Sequence, residues 1–138
     1  PELRAAIITT LLHDVPEDDP TFKEDRLVAG YGTEIAELVM NLQKPKKTKQ
    51  IRYQSDKHEE HIEFVARIES APRICKIIKI FDRLNNLKCT DASRNVEKYN
   101  RFLQDTVELY LPFAKSIENT LAAEMESEVA RLVQELHT

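Results

Sequence analysis

The densest group of potential metal ligands and acid–base residues lies early in the chain, in the stretch Leu11–Asp18. It contains one imidazole, His13, and three carboxylates, Asp14, Glu17 and Asp18, directly after an apolar segment. Imidazole and carboxylate groups together ligate divalent ions such as Mn²⁺, Fe²⁺ or Zn²⁺. If Asp14 holds an ion, Glu17 and Asp18 are close enough in sequence to orient an attacking water or to accept its proton. The stretch therefore predicts a divalent-metal site that activates water.

A second group of charged and polar residues, Lys79–Lys88, interrupts the most apolar predicted helix. Its carboxylate, Asp82, is costly to bury unless it is paired or bound to a metal. Asn86 follows Asp82 by four positions and shares its helical face, while Lys79 lies one turn earlier. This face suits a metal ion together with a phosphorylated ligand. The alternative is a satisfied salt bridge of Asp82 with Lys79 or Arg83, and a His-Asp pair alone is often a helix cap. The joint occurrence of both groups favours a shared metal site.

Each of two further charged stretches has both a structural and a functional interpretation. Lys44–Arg52 is the strongest run of positive charge, and a solvated loop is favoured over a basic flap that pairs with an anionic substrate. His58 and His61 lie three positions apart on a predicted helix, beside Glu59 and Glu60. An exposed helical surface is favoured there over a second metal site, because exposed His/Glu helices are common.

Composition limits the class of protein. The chain has 138 residues, of which 41% are hydrophobic and 32% charged, which fits one soluble domain with a core. Only two glycines are present, which argues against a β-rich fold and against a glycine-rich phosphate loop. The net charge of −4 predicts no general affinity for nucleic acid polymers or membranes. Cys75 and Cys89 are expected to be free thiols in a reducing, cytoplasmic compartment.

The elements that must position these groups all have helical periodicity. Pro16 is expected to end the first helix, Thr21 and Thr33 to cap the next two, and Pro112 to kink or restart a later one. No strand is predicted, so the expected fold class is an all-α helical bundle. The last helix is expected to pack on this bundle or on a second copy of the chain, which leaves a homo-oligomer open. Helices are predicted over residues 2–13, 21–29, 34–43, 57–70, 72–87, 95–116 and 117–136.

Four ordered stretches resemble the HD-domain phosphohydrolases, and among them the hydrolase domain of the RelA/SpoT type and its small stand-alone relatives. Residues 5–18 resemble the metal-binding helix with its His-Asp and Glu-Asp pairs. Tyr31–Val39 resembles the helix that follows, and Lys79–Asn86 resembles the family's K-x-x-D-R-L-x-N segment. Thr106–Ala114 resembles its T-x-x-x-Y-x-P-x-A segment. The resemblance covers residues 3–116 and implies one HD-type hydrolase domain across residues 1–138, with 117–138 as a terminal helix.

The resemblance also implies which residues bind the metal and which act on the attacking water. In that family the hydrolase removes the 3′-pyrophosphate of guanosine tetra- and pentaphosphate with one Mn²⁺. It implies that His13, Asp14 and Asp82 are metal ligands and that Glu17 and Asp18 position and deprotonate the attacking water. A further histidine ligand of the family would fall before the first residue of this chain, so we expect the N-terminal part of the domain to be missing.

For the substrate, the resemblance implies that Asn86 contacts the sugar or a phosphate, with Lys79 and Arg83 as phosphate partners. The family's usual histidine before Asn86 is Asn85 here, which we interpret as a tolerated difference. Two alternatives stay open at this point. One is an HD-domain phosphohydrolase acting on another nucleotide, such as a nucleoside monophosphate or a dinucleotide cofactor. The other is a non-catalytic helical module that binds a nucleotide or a partner protein.

Overall fold

The chain folds into α-helices, and a computed structural model describes residues 2–15, 24–43, 54–91 and 95–137. No strand occurs among these residues, which confirms the predicted all-α class. None of the described helices combines the length and the hydropathy that a bilayer span requires. The helices are α1 (Glu2–Leu12), α2 (Glu24–Tyr31), α3 (Thr33–Asn41), α4 (Gln54–Ile68), α5 (Arg73–Cys89), α6 (Val96–Asp105), α7 (Leu111–Ile117) and α8 (Asn119–Leu136), with a π-helical segment (Thr106–Tyr110) between α6 and α7.

Helix α5 lies at the centre of the bundle. It packs against α3, the π-helical segment, α7 and α8. Its buried side chains, among them Ile80, Leu84 and Leu87, belong to the main hydrophobic core. Its largely apolar sequence predicted a central helix, and one face of it reaches the surface, since Phe81 is 52% exposed. Asp82, next to Phe81, therefore lies at the border between the core and the surface.

Helix α1 exposes several of its large apolar side chains. Its apolar stripe includes Leu3 and Leu11, which are 73% and 74% exposed. The buried positions are Ala5 and Thr9 instead, and α1 packs against α3. The buried residues of α1 are therefore small, while the large apolar side chains of Leu3 and Leu11 are exposed.

The helix boundaries follow the predicted signals in part. Asn95 caps α6, since its side-chain oxygen accepts a hydrogen bond of 3.0 Å from the backbone N–H of Lys98. The predicted cap at Thr33 is wrong, because Thr33 is the first residue of α3 and Gly32 occupies the cap position without a side-chain bond. Gly32 has φ +91°, a conformation that glycine adopts at little cost. The predicted capping box at Thr21 lies outside the described residues.

The predicted restart at Pro112 is confirmed. Pro112 has no N–H, so the α-helical bond to the carbonyl four residues earlier is missing. The turn before it widens into the π-helical segment, in which the N–H of Leu111 bonds to the carbonyl of Thr106. Helix α7 then begins at Leu111 with proline in its first turn.

The terminal helix α8 packs on the bundle, against α5 and α7. Met125 and Leu132 are buried in the main core. Arg131 donates a hydrogen bond of 3.0 Å to the carbonyl of Leu87 near the end of α5, which also accepts from the N–H of Thr90. Helix α8 thereby fixes the end of the helix that carries Asp82.

Candidate metal centre

The end of α1 is held by a small apolar cluster separate from the main core. Leu27, Ala36 and Val39, from α2 and α3, are fully buried, and Leu12 packs against them. His13 follows in the turn after α1. The local fold thus anchors the residue before the imidazole, so the position of His13 is set by hydrophobic packing.

The hydrogen bonding of His13 prepares one ring nitrogen for a ligand. Nδ1 lies 2.6 Å from the carbonyl oxygen of Thr10. A carbonyl only accepts, so Nδ1 carries a proton, and Nε2 is the nitrogen that can offer a lone pair to a cation. Nε2 is buried and has no hydrogen-bond partner in the described structure. Metal-binding histidines use this arrangement, with one nitrogen bonded to a carbonyl and the other free for the ion.

Two carboxylates face this free nitrogen, as the sequence predicted. Nε2 lies 3.2 Å from Oδ1 of Asp14 and 3.7 Å from Oδ1 of Asp82. Ligand atoms of the three residues all lie within 4.8 Å of one another, and no other group of three such residues meets this criterion in the described part of the chain. Opposite ligands of a first-row ion are roughly 4 Å apart. The three side chains fit a divalent ion, since an orphaned nitrogen and two carboxylate oxygens converge.

The electrostatics of the cluster favour positive charge. The interaction with Asp82 raises the pKa of His13 to about 8, although burial opposes the shift. The interaction with His13 lowers the pKa of Asp82 to about 2, with a further contribution from Lys79. Without a metal, the carboxylates hold a proton on His13. A divalent cation placed there would take up the same attraction and displace that proton.

Sequence reasoning missed Gln43, which contacts the backbone of this site. Gln43 is buried at the end of α3, and its Nε2 lies 2.6 Å from the carbonyl oxygen of His13. The same amide nitrogen lies 3.0 Å from the carbonyl oxygen of Val39. A buried amide at the end of an amphipathic helix is the signal that could have pointed to it.

The predicted substrate residues have different surroundings. Asn86 is exposed one turn after Asp82 on α5. Lys79 is half-buried, with its ammonium 3.1 Å from Oδ2 of Asp82 and 5.0 Å from the ring centre of Phe64. Asp82 thus has one oxygen towards His13 and one towards Lys79.

Arg83 is buried and bonds within the protein. Its Nε donates to the hydroxyl of Thr106 at 3.0 Å and its Nη2 to the carbonyl of Phe102 at 2.9 Å. The guanidinium carbon lies 3.9 Å from the ring centre of Phe102 and 4.2 Å from that of Tyr110. These contacts hold α6 and the π-helical segment on α5.

Glu17 and Asp18, the expected water-activating pair, lie outside the described residues. The basic run Lys44–Arg52 also lies outside them.

The two histidines of α4 form a polar network with the elements around the π-helical segment. His58 Nδ1 donates to Asp105 at 2.6 Å, and His61 Nδ1 shares a hydrogen bond of 2.7 Å with the hydroxyl of Tyr110. The bond to Asp105 raises the pKa of His58, and the charge of Glu108 adds to this shift. These histidines therefore have protein partners.

A cavity of about 390 Å³ opens beside this network. Three cationic side chains, Lys57, Lys98 and Arg101, contribute to its wall. Lys79 links this network to the cluster of His13, Asp14 and Asp82. Its ammonium bonds to Asp82 and lies 5.9 Å from the ring centre of Tyr110, which belongs to the network. The complete lining is Lys57, His58, His61, Lys98, Arg101, Phe102, Gln104 and Asp105.

Comparison with known proteins gives one family and several long relatives. Residues 3–118 match the family model described as HD domain. The chain is 33% identical over 120 residues to guanosine-3′,5′-bis(diphosphate) 3′-pyrophosphohydrolase of Aquifex aeolicus, an alignment that covers 83% of this chain and 16% of that protein. It is 36% identical over 104 residues to the protein of the same name from Vibrio cholerae, covering 75% and 14%. A GTP pyrophosphokinase of Myxococcus xanthus is 30% identical over 115 residues, covering 82% and 15%.

These relatives are several times longer than the region they share with this chain. The chain spans 14% to 16% of the length of the relatives just named. Two of them are named as pyrophosphohydrolases and one as a pyrophosphokinase. Each name describes the whole long protein, of which the matched region is a small part.

Proposed function

Since the chain belongs to the HD-domain family, which it matches over residues 3–118, we propose that it is a metal-dependent phosphohydrolase domain. We further propose that its substrate is guanosine 3′,5′-bis(diphosphate), from which it removes the 3′-pyrophosphate. The observation that carries the proposal is the free, buried Nε2 of His13, faced by carboxylates from two separate parts of the chain. The names of the relatives support the choice of substrate.

His13, Asp14 and Asp82 would hold the ion, for which we propose Mn²⁺, with Fe²⁺ and Zn²⁺ as alternatives. Mixed imidazole and carboxylate ligands accept several first-row ions. When bound, such an ion offsets phosphate charge and makes water more acidic. The protein's own part is to hold the Nδ1 proton on the carbonyl of Thr10, so that Nε2 is the nitrogen that faces the carboxylates, and to hold Asp82 ionised beside Lys79.

Glu17 and Asp18 are proposed to orient the attacking water and to accept its proton, on the strength of the resemblance. Both follow Asp14 within four positions. A carboxylate can act as the general base if it reaches the water, directly or through one further water. The water attacks the phosphorus that is bonded to the ribose 3′-oxygen, and its proton passes to the carboxylate. The bond from phosphorus to the 3′-oxygen breaks, its electron pair stays on that oxygen, and the oxygen takes up a proton to leave as the 3′-hydroxyl, with pyrophosphate as the other product.

The substrate phosphates are proposed to lie between the metal cluster and the basic cavity. Asn86 lies one turn from Asp82 on an exposed face, where its amide can bond a sugar or phosphate oxygen. Lys57, Lys98 and Arg101 on the cavity wall offset the charge of a polyphosphate. Lys79 lies between the two regions through its contacts with Asp82 and Tyr110.

The test uses the intact protein with Mn²⁺ and guanosine tetraphosphate, and measures pyrophosphate and phosphate separately. Pyrophosphate release that is lost in Asp82→Asn supports the proposal. Asn86→Ala and Asn85→Ala form a matched pair, since both amides are exposed and adjacent on α5. Only the Asn86 variant should raise KM, by about tenfold if one charged hydrogen bond is lost.

The same assay separates the alternatives. Release of phosphate from a nucleoside monophosphate or from a dinucleotide cofactor, without pyrophosphate release, would assign another nucleotide as the substrate. No bound metal and no release from any of these substrates would leave a non-catalytic binding module and would end the proposal.

A further inference from the structure

We propose that Gln43 is a positioning residue of the metal centre, whose side-chain amide fixes the backbone of His13 and with it the direction of Nε2. This inference depends on the proposed metal site at His13, Asp14 and Asp82. Gln43 is not itself a ligand in it, because its amide nitrogen faces two backbone carbonyls, 2.6 Å from that of His13 and 3.0 Å from that of Val39.

The bond to His13 satisfies a carbonyl that the helix itself leaves open. Helix α1 ends at Leu12, and the last carbonyls of a helix have no N–H of the next turn to bond. Gln43 is only 8% exposed, so water cannot easily replace its amide. The residue lies thirty positions from His13 in sequence and bridges the end of α1 to the end of α3.

This bridge matters for the metal because α3 lies between the two helices that bring the ligands. Helix α1 packs against α3, and α3 packs against α5. The thiol of Cys75 on α5 donates to the carbonyl of Leu38 on α3 at 3.4 Å. The bond from Gln43 fixes the other side of α3 to His13. The distance from Nε2 of His13 to Asp82 is therefore set through α3.

Two bonds then restrain His13 from opposite ends. Thr10 holds the ring through Nδ1, and Gln43 holds the main chain. If the bond from Gln43 is lost, the turn at His13 can rotate while α1 stays folded, and Nε2 moves away from Asp82. Loss of an outer partner of a metal ligand typically weakens metal binding by about 10- to 100-fold.

The test compares Gln43→Met with Asn41→Leu in the intact protein. Methionine keeps the length of Gln43 without its two donors. Asn41 is the matched control, since its amide also bonds a carbonyl four residues earlier, that of Glu37 at 2.9 Å, but the structure gives it no bond to α1. Gln43→Glu, which has the same shape and no donor when ionised, replaces Gln43→Met if the latter does not fold.

Two readouts separate positioning from a loss of stability. A Mn²⁺ titration followed by electron paramagnetic resonance gives the dissociation constant, and pulsed measurements give the nitrogen coupling of the bound imidazole. We expect Gln43→Met to raise the dissociation constant by about tenfold or more and to change the nitrogen coupling, with wild-type values for Asn41→Leu. Wild-type Mn²⁺ binding and coupling in a folded Gln43 variant would overturn the inference. Absence of Mn²⁺ binding by the wild type would instead overturn the proposed metal site, and the inference with it.

Discussion

Substitution of Arg83 by lysine separates two roles for this side chain. The sequence predicts a phosphate partner, for which the charge matters most and lysine is an adequate substitute. The structure has a buried guanidinium between the rings of Phe102 and Tyr110, bonded to Thr106 and to the carbonyl of Phe102. Only the planar, forked guanidinium can make all of these contacts at once. We therefore expect Arg83→Lys to destabilise the fold strongly.

The size of the effect follows from the contacts that lysine loses. An ammonium at this position can keep one of the two hydrogen bonds, and the lost bond to a charged donor contributes about 1.5–3 kcal/mol. Loss of planar stacking on two buried rings adds about 1–2 kcal/mol. The hydroxyl of Thr106 still donates to the carbonyl of Phe102 at 2.7 Å, which keeps that carbonyl from becoming unsatisfied. The expected loss is therefore roughly 3 kcal/mol of unfolding free energy.

The measurement is urea unfolding followed by far-ultraviolet circular dichroism, because the chain has no tryptophan to report by fluorescence. Arg83→Met, which removes the charge but fills similar space, is the companion variant. An Arg83→Lys protein within about 0.5 kcal/mol of the wild type would refute the structural role. If Arg83→Lys also kept the wild-type KM for the nucleotide while Arg83→Met raised it, Arg83 would be a substrate contact, as the sequence predicts.

Three other predictions concern the metal, pH and a buried hydroxyl. Asp82→Asn should lower the bound metal measured by elemental analysis, because a neutral amide replaces one of the two carboxylates that would hold the cation; an unchanged metal content would contradict this. His58→Gln should destabilise the protein more at pH 6 than at pH 9. The bond to Asp105 raises the folded pKa of His58 above 6.5, so its stabilisation is present below pH 6.5 and lost as pH rises through the folded value; equal effects in unfolding experiments at both pH values would speak against it. Thr9→Val should stabilise the fold by about 1 kcal/mol and so raise the melting temperature, because the Thr9 hydroxyl is buried without a partner in the described structure. A lower melting temperature would show that the hydroxyl contributes to stability.

The sequence predicted most of the helices for physical reasons that are local. The apolar periodicity of α5 and the helix break at Pro112 each depend on a few neighbouring residues, so the sequence alone predicts both. A carboxylate inside an apolar helix needs a partner, and Asp82 has Lys79 at 3.1 Å, the predicted salt bridge, as well as His13 at 3.7 Å.

The failures concern contacts between distant parts of the chain. The apolar residues of α1 recur at helical spacing, but Leu3 and Leu11 are exposed, and the buried residues are Ala5 and Thr9. Which face a helix buries depends on the shape of its neighbour, which a periodic pattern does not contain. Gln43 was missed for the same reason, since its acceptor on His13 is thirty residues away.

The wide turn at Thr106–Tyr110 also has a consequence for how related chains can vary in length. A π-helical turn holds one residue more than an α-helical turn. Removing one residue there would restore a regular helix and rotate everything beyond it by about 100°. Phe113 and Ala114, now in the core, would then face elsewhere. A related chain that lacks the extra residue of the π-helical segment must place different residues of α7 in the core. A one-residue gap in an alignment at this segment would therefore indicate a change of packing.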